Sequence, residues 1–226
     1  MGIKLVVFDI AGTTLYDNDF VNIAFRNAMQ SSGYEITQRE VNDVMGLKKP
    51  QAIRMMLEKR MPSENITEQM IDDIHQVFLK NMINFYKNDP DIREIEGASH
   101  VFRTLKENGI KVALDTGFSR DITQTIIDRI GWERDGLIDA SLCSDEVPAG
   151  RPHPYMIEKI MQQLGIDDTK TIAKVGDTPS DLEEGNNAGT RFVIGVTSGA
   201  YTKEELLQYP HTHVVNSIND ILEIVL

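Results

Sequence analysis

Two aspartates stand where short apolar runs of the chain end, and each could bind a metal or react with a phosphoryl group. Asp9 follows the run 3–8, and Asp177 follows the run 171–175 after one glycine. A carboxylate in such a position is either a hard ligand for a divalent cation or a nucleophile that takes up a phosphoryl group. The alternative for the first segment is that Asp9 and Thr13 only cap the helix that follows.

The apolar run before Asp9 predicts a strand in the interior of a parallel sheet. Residues 5–8 are too few for a helix, and no polar residue alternates through them, so both faces of the strand should be buried. After Gly97, short apolar segments alternate with helical ones, which is typical of an α/β sheet. The further predicted strands lie at 111–114, 140–143, 171–175, 191–196 and 213–215. Since ligands bind at the carboxyl ends of strands in such sheets, the polar residues there form the candidate site.

The segment between the first strand and Gly97 is a helical insertion. From Asp17 to about Pro90, apolar residues recur at three- and four-residue spacing, and strand-like sequence is scarce. We expect a helical cap hinged near 15–19 and 90–97. Its closure would exclude water from a reactive intermediate beneath it.

The composition limits the classes of partner. The chain has 226 residues, of which 41% are hydrophobic and 26% charged, as in ordinary globular proteins. Its net charge of −12 argues against nucleic acid and anionic membranes as partners, because both require basic patches. An anionic substrate must therefore be held by a few local cations or by a metal.

Cysteine content and chain start bear on the compartment. Cys143 is the single cysteine, so no intrachain disulfide can form. The first residues run directly into the predicted strand without a signal-peptide pattern, and no apolar run approaches the length of a membrane span. We therefore expect a cytoplasmic protein.

Four predicted strand ends together supply a set of groups suited to phosphoryl chemistry: Asp9, Thr116, Arg151, and Asp177 with Asp181. Mg²⁺ prefers hard oxygens from one or two carboxylates together with the substrate's own phosphate. The cation and the hydroxyl would hold the remaining phosphoryl oxygens in line with the nucleophile.

Each member of this set also has a structural interpretation. Thr116 and Gly117 could be turn residues, and Arg151 could be a surface cation. Thr178 and Asp181 form a capping-box pattern around a proline at the first helical position, which would by itself explain the second aspartate.

The segments 9–14, 115–117, 150–152 and 176–181 resemble the four motifs of the haloacid dehalogenase superfamily. They occur in the same order, each at a predicted strand end, and the resemblance covers essentially the whole chain. It implies an α/β fold with a Rossmann-like parallel-sheet core, residues 1–16 and 91–226, and an inserted helical cap, residues 17–90.

The resemblance also implies roles for individual residues. Asp9 would be the nucleophile and a magnesium ligand, Thr116 would bind phosphate, and Arg151 would take the basic role of the third motif. The implied metal site comprises Asp9, Ala11, Asp177 and Asp181. The implied substrate-binding residues are Thr13, Gly117, Met45 and Lys48.

One position departs from the phosphatase pattern of the superfamily. Phosphatase members carry an acid two residues after the nucleophile, whereas this chain has Ala11, which moves no proton. A phosphate ester would lose a proton-transfer contribution of roughly 10²–10⁴-fold. The segment Ala-Gly-Thr-Thr instead resembles the phosphonatase (phosphonoacetaldehyde hydrolase) subfamily, in which a cap lysine forms a Schiff base with the substrate aldehyde.

The segment 45–49 resembles the cap motif of that subfamily and places Lys49 at the imine-forming position. The histidine found three residues later in the subfamily is Ala52 here. A Schiff-base role requires a desolvated lysine of lowered pKa, and the alternative is that Lys48 and Lys49 are solvated cations or phosphate contacts.

The sequence thus predicts a magnesium-dependent hydrolase of a small phosphonate or phosphate that forms an aspartyl-phosphate on Asp9. Phosphonoacetaldehyde-type cleavage of a carbon–phosphorus bond is the first hypothesis, and a phosphatase of the phosphoglycolate or sugar-phosphate type is the second. A non-catalytic protein that binds a phosphorylated ligand is the third, because Ala11 lacks an acid. The expected state is a monomer or homodimer.

Overall fold

A six-stranded parallel sheet forms the centre of the molecule. The computed structural model describes residues 2–226, and the strand order is β3-β2-β1-β4-β5-β6 with every neighbouring pair parallel. The strands are β1 Leu5–Phe8, β2 Lys111–Thr116, β3 Ala140–Cys143, β4 Ile172–Gly176, β5 Phe192–Val196 and β6 His213–Val215. The predicted α/β fold is confirmed.

Strand β1 lies in the interior of this sheet, and all four of its side chains are fully buried. Val6 and Phe8 join the larger apolar cluster on one face of the sheet. Leu5 and Val7 join a second cluster on the other face. The prediction of a strand buried on both faces is confirmed.

Ten α-helices accompany the sheet within residues 2–226: α1 Phe20–Ser31, α2 Gln38–Asn42, α3 Lys49–Glu58, α4 Glu68–Asn88, α5 Ala98–Glu107, α6 Arg120–Ile130, α7 Tyr155–Leu164, α8 Pro179–Asn187, α9 Lys203–Leu206 and α10 Ile221–Val225. None of these helices is long and apolar enough to cross a membrane. Left-handed glycines, Gly131 and Gly165, follow α6 and α7, as expected of residues that end helices.

Strand β2 is longer than the sequence predicts, because its last residues still pair with β3. Asp115 lies opposite Leu142 and Thr116 opposite Cys143, so both polar residues belong to the strand. The pairing holds their backbones rigidly at the edge where the strand ends. Asp115 and Thr116 are therefore strand residues and not turn residues.

The segment between residues 17 and 90 contains helices α1–α4 and no strand of the sheet. Its apolar faces meet in ring contacts such as Phe25 with Phe78, whose centroids are 4.6 Å apart. Helix α4 packs against α6, and one continuous apolar cluster includes residues of both regions. The division into core and cap at 16/17 and 90/91, and the hinge movement, stay predictions.

The packing beneath β1 gives a prediction for stability. Phe102 is fully buried between Phe8 and Trp132, with ring centroids 5.1 Å and 5.7 Å away. We expect Phe102→Ala to lower the free energy of unfolding by about 3–5 kcal/mol, because it removes buried apolar surface and leaves a cavity. Leu207→Ala, at a side chain 49% exposed, is the control and should cost less than about 1 kcal/mol. Urea unfolding monitored by circular dichroism measures both, and equal costs would contradict this packing.

Candidate active site

Asp9 lies at the carboxyl end of β1, at the bottom of the site. Its backbone N–H donates to the Val175 carbonyl at 2.9 Å, which holds the residue against β4. The side chain is 5% exposed, and its Oδ1 accepts a hydrogen bond from Arg151 Nη1 at 2.6 Å. Burial raises the pKa of Asp9 to about 6, and the Arg151 charge opposes that rise. The positive charge of Arg151 thus stabilises the ionised Asp9 carboxylate, which is the form that a nucleophile requires.

Three buried carboxyl groups, from Asp9, Asp177 and Asp181, converge so that one oxygen of each lies within 4.8 Å of the others. Burial, and then the charges of Asp9 and Asp181, raise the pKa of Asp177 well above its usual range. A divalent cation between these oxygens would relieve their repulsion. The donor set is therefore the hard-oxygen type that Mg²⁺ prefers.

The orientation of Asp177 is fixed by Thr13, which the sequence analysis also named, and by the backbone of Ala200. Thr13 Oγ1 donates to Asp177 Oδ1 at 3.1 Å, and the Ala200 N–H donates to Oδ2 at 2.8 Å. Gly12 has a φ of 83°, and a Cβ there would stand 2.6 Å from Asp177 Oδ2. Thr13 thus contacts a candidate metal ligand, while its predicted contact with substrate stays a prediction.

Ala11 borders the same region from the β1 side. It lines two adjoining cavities, one of about 20 Å³ that contains Asp9 and one of about 300 Å³ that contains Asp177. Its methyl group offers no ligand atom, so its predicted place in the metal site could be filled only by its main-chain oxygen. Asp177 lines the larger cavity and Asp9 the smaller one, and Ala11 and Met45 line both.

Arg151 is 1% exposed, and its guanidinium is surrounded by acids. Beyond Asp9, its nitrogens contact Asp115, Asp181 at 3.0 Å and Glu184 at 3.0 Å. The sequence analysis expected this cation to hold phosphoryl oxygens, but its contacts are to the carboxylate that would attack them. The reason is that burial leaves a charged group stable only when opposite charges surround it.

Three residues of this network had no assigned role in the sequence analysis: Asp115, Lys174 and Glu184. Lys174 Nζ contacts Asp115 and lies 3.2 Å from both Asp181 and Glu184. The sequence did contain a signal, because a lysine within an apolar strand buried on both faces requires a buried acidic partner.

Asp181 reconciles two interpretations that the sequence left open. It completes a capping box with Thr178, whose backbone N–H donates to Asp181 Oδ2 at 3.2 Å. Its Oδ1 meanwhile faces Arg151 and Lys174 at 3.0 Å and 3.2 Å. The capping contact positions the residue, and its second oxygen joins the buried charges.

Thr116 and Gly117 follow at the end of β2. Thr116 lines the small cavity beside Asp9, and its Oγ1 accepts a hydrogen bond from the Phe118 N–H at 3.2 Å. A Cβ at Gly117 would stand 2.4 Å from the Gly46 carbonyl oxygen and 2.7 Å from that of Leu47. Gly117 thus allows the helical segment to approach the end of β2 closely.

The loop before α3 closes the site from the opposite side. Ser180 Oγ donates to the Met45 carbonyl at 3.3 Å, and a Cβ at Gly46 would stand 2.3 Å from the same hydroxyl. Met45 lines both cavities. Lys48 is half-buried beside Gly150, and among the residues that the structure describes it lines neither of these two cavities. The structure therefore brings Met45 to the site and leaves Lys48 at its margin.

Lys49 is 3% exposed and lines the same small cavity as Asp9 and Thr116. Its Nζ lies 5.6 Å from the Phe25 ring centroid and 5.1 Å from that of Phe118. Burial lowers the pKa of Lys49 to about 8, although the charge of Asp9 acts in the opposite direction. An amine in this setting is available as a nucleophile near neutral pH.

The sequence of this chain is similar to a known protein family and to individual proteins. The family model described as haloacid dehalogenase-like hydrolase matches residues 6–195. Phosphonoacetaldehyde hydrolase of Bacillus cereus strain B4264 is 32% identical over 222 residues, which cover 91% of this chain and 81% of that protein. The corresponding protein of strain ATCC 14579 is 33% identical over 212 residues, covering 88% and 78%.

Solved structures share the fold. A phosphonoacetaldehyde hydrolase-like protein from Oleispira antarctica superposes with a TM-score of 0.87 at 23% identity, covering 100% of this chain and 92% of that one. A hydrolase from Pseudomonas syringae gives 0.86 at 17% identity, covering 97% and 96%. At these identities the likeness establishes the fold, including the Rossmann-like arrangement of the sheet.

The environment of Lys49 predicts its titration. We expect the Lys49 amine to lose its proton with a midpoint near pH 8, because burial disfavours the charged form. Carbon-13 labelling of lysine Cε followed by NMR titration measures this midpoint, and Lys49→Arg identifies the signal by its loss. A midpoint near 10.5, the ordinary lysine value, would contradict the closed, apolar environment seen here.

Proposed function

This chain belongs to the haloacid dehalogenase-like hydrolase family, and we propose that it is a magnesium-dependent enzyme that cleaves the carbon–phosphorus bond of a small phosphonate carrying an aldehyde. Phosphonoacetaldehyde is the proposed substrate. The observation that carries the proposal is the position of Lys49, a buried amine of lowered pKa in the same small cavity as Asp9. The similarity to phosphonoacetaldehyde hydrolases supports the same conclusion.

In this proposal Asp9 receives the phosphoryl group. Arg151 holds Oδ1 at 2.6 Å and leaves the other carboxylate oxygen to attack phosphorus. An oxygen–phosphorus bond forms as the carbon–phosphorus bond breaks, and water then hydrolyses the aspartyl-phosphate to regenerate the carboxylate. Mg²⁺, held by Asp9 and Asp177 with Asp181 in support, would neutralise charge on the phosphoryl oxygens. Thr116 would donate its hydroxyl to one of these oxygens.

Lys49 makes carbon a leaving group in the second part of the proposal. Its neutral amine adds to the substrate carbonyl, and loss of water gives an imine on Nζ. When the carbon–phosphorus bond breaks, its electron pair moves into the imine, whose nitrogen takes a proton, and the carbon departs as an enamine. Protonation of that carbon and hydrolysis of the restored imine then release the aldehyde product and free the Lys49 amine. No proton has to reach a leaving oxygen, which accounts for the presence of Ala11 where phosphatase members have an acid.

The nucleophile and the metal give the first test of this function. We expect phosphonoacetaldehyde turnover to require Mg²⁺ and to stop with a chelator, and Asp9→Asn to lower kcat by at least about 10³-fold because an amide is a poor nucleophile. Asp72→Asn, at an exposed position on α4, is the matched control. Phosphate release measures each rate.

Activity of Asp9→Asn near the wild-type level would remove Asp9 as the nucleophile. Turnover of phosphate monoesters in place of phosphonoacetaldehyde would favour the phosphatase hypothesis. Binding of both substrate classes without any turnover would favour a non-catalytic binding protein.

Lys49 gives the second test. We expect borohydride added during turnover to trap a covalent adduct on Lys49, detectable by peptide mass mapping, and Lys49→Arg to lose activity by about 10²-fold or more. A guanidinium keeps the charge but forms imines poorly. Lys59→Arg, near the end of α3 and paired with Asp43 at 3.6 Å, is the control and should behave as wild type. Retained activity without an adduct would leave Lys49 only a phosphate contact.

A further inference from the structure

Tyr86 carries a buried hydroxyl that nothing in the structure explains. The residue lies in the last turns of α4 and is 1% exposed. Across residues 2–226, no group forms a hydrogen bond with its hydroxyl. Because buried polar groups are nearly always paired, an unpaired phenol indicates a partner that the protein itself does not supply. Burial raises the pKa of Tyr86 well above the usual range, so the group remains a hydrogen-bond donor.

Tyr86 is separated from the cavity of the proposed reaction centre by one aromatic side chain, Phe118. Its ring meets the edge of the Phe118 ring at a centroid distance of 6.2 Å. The same Phe118 ring lies 5.1 Å from Lys49 Nζ and lines the cavity that contains Asp9. Tyr86 and the proposed imine-forming amine are thus neighbours of one aromatic side chain.

Neither charged group near Tyr86 pairs with its hydroxyl. Asp17 and Asp9 are the charges that act on it, and neither accepts its hydrogen. Asp9 accepts from Arg151, and Asp17 Oδ1 accepts from the backbone N–H groups of Phe20 and Val21 at 2.9 Å and 3.3 Å. An acceptor oxygen brought by a ligand would therefore satisfy the phenol.

We propose that Tyr86 is a further catalytic residue, whose hydroxyl donates a hydrogen bond to the carbonyl oxygen of the substrate while Lys49 adds to the carbonyl carbon. This inference rests on the proposed function. As the nitrogen–carbon bond forms, the carbonyl electron pair moves onto oxygen, where the Tyr86 donor stabilises it. The oxygen takes the two protons that the nitrogen loses, one as the adduct forms and one as the imine forms, and it leaves as water. Tyr86 keeps its own proton throughout.

This role also defines a substrate preference. A site with a buried donor strongly disfavours an analogue that lacks the matching acceptor, because the donor then stays unpaired. The site should accept a phosphonate with an aldehyde or ketone oxygen on the carbon that Lys49 attacks. Ethylphosphonate, which has the same carbon–phosphorus unit without that oxygen, should bind weakly.

The test separates imine formation from phosphoryl transfer. Acetaldehyde with cyanoborohydride is a phosphorus-free probe of imine formation, and peptide mass spectrometry follows the modification of Lys49. We expect Tyr86→Phe to slow this modification about 10- to 100-fold, the effect of losing one donor to a developing charge. Tyr34→Phe, at a partly buried tyrosine of the same helical segment, should react as wild type.

A second measurement distinguishes this role from a structural one. Because the hydroxyl has no partner within the described chain, Tyr86→Phe should leave Tm unchanged or raise it. A clear fall in Tm would reveal a structural hydrogen bond and overturn the proposal, as would modification of Lys49 at the wild-type rate. Those results would leave the proposed function intact. Wild-type protein in which neither acetaldehyde nor phosphonoacetaldehyde modifies Lys49 would instead overturn the Lys49 chemistry, and this inference with it.

Discussion

The excess of buried negative charge at the carboxyl edge of the sheet is the constraint on which the site depends. Asp9, Asp115, Asp177, Asp181 and Glu184 are all at most 5% exposed, and the buried cations among them are Arg151 and Lys174. Such a cluster of buried charges is stable only if bound protons or a further cation balance the excess negative charge. The protein responds partly with protons, since burial and the charge of Asp115 raise the pKa of Glu184 to about 8. In the proposed function, a divalent cation beside Asp177 would supply the rest.

A second dependence links the helical segment to the chemistry. Lys49 is desolvated by one ring from each side of the cleft, Phe25 of α1 and Phe118 after β2. Close approaches at Gly46 and Gly117 allow the α3 loop to lie against the sheet edge. If the helical segment moved away, water would reach Lys49 and its pKa would rise towards the ordinary lysine value. The amine would thus become nucleophilic chiefly when the cleft is closed, which would link reactivity to the exclusion of water.

The sequence predicts the scaffold well because the scaffold depends on local patterns. Both-face burial of β1, the alternation after Gly97 and the order of the strand ends all follow from apolar spacing. The sequence predicts the contacts of individual side chains in the site less well. Arg151 was expected at the phosphoryl oxygens and lies against Asp9, since pairing across four strand ends depends on the assembled sheet. Tyr86 gave no signal at all, because an aromatic residue on the apolar face of a helix has the same pattern whether it packs or donates.

The arrangement divides the proposed reaction between two parts of the chain. The sheet edge holds the groups suited to phosphorus, with Asp9 fixed by Arg151. The helical segment holds those suited to carbon, Lys49 and Tyr86, in apolar surroundings. A proton donor beside Asp9, as in the phosphatases, would serve a leaving oxygen, and a leaving carbon stabilised by an imine does not require it. Ala11 is therefore consistent with an active enzyme, provided that the helical segment supplies the activation that the sheet edge lacks.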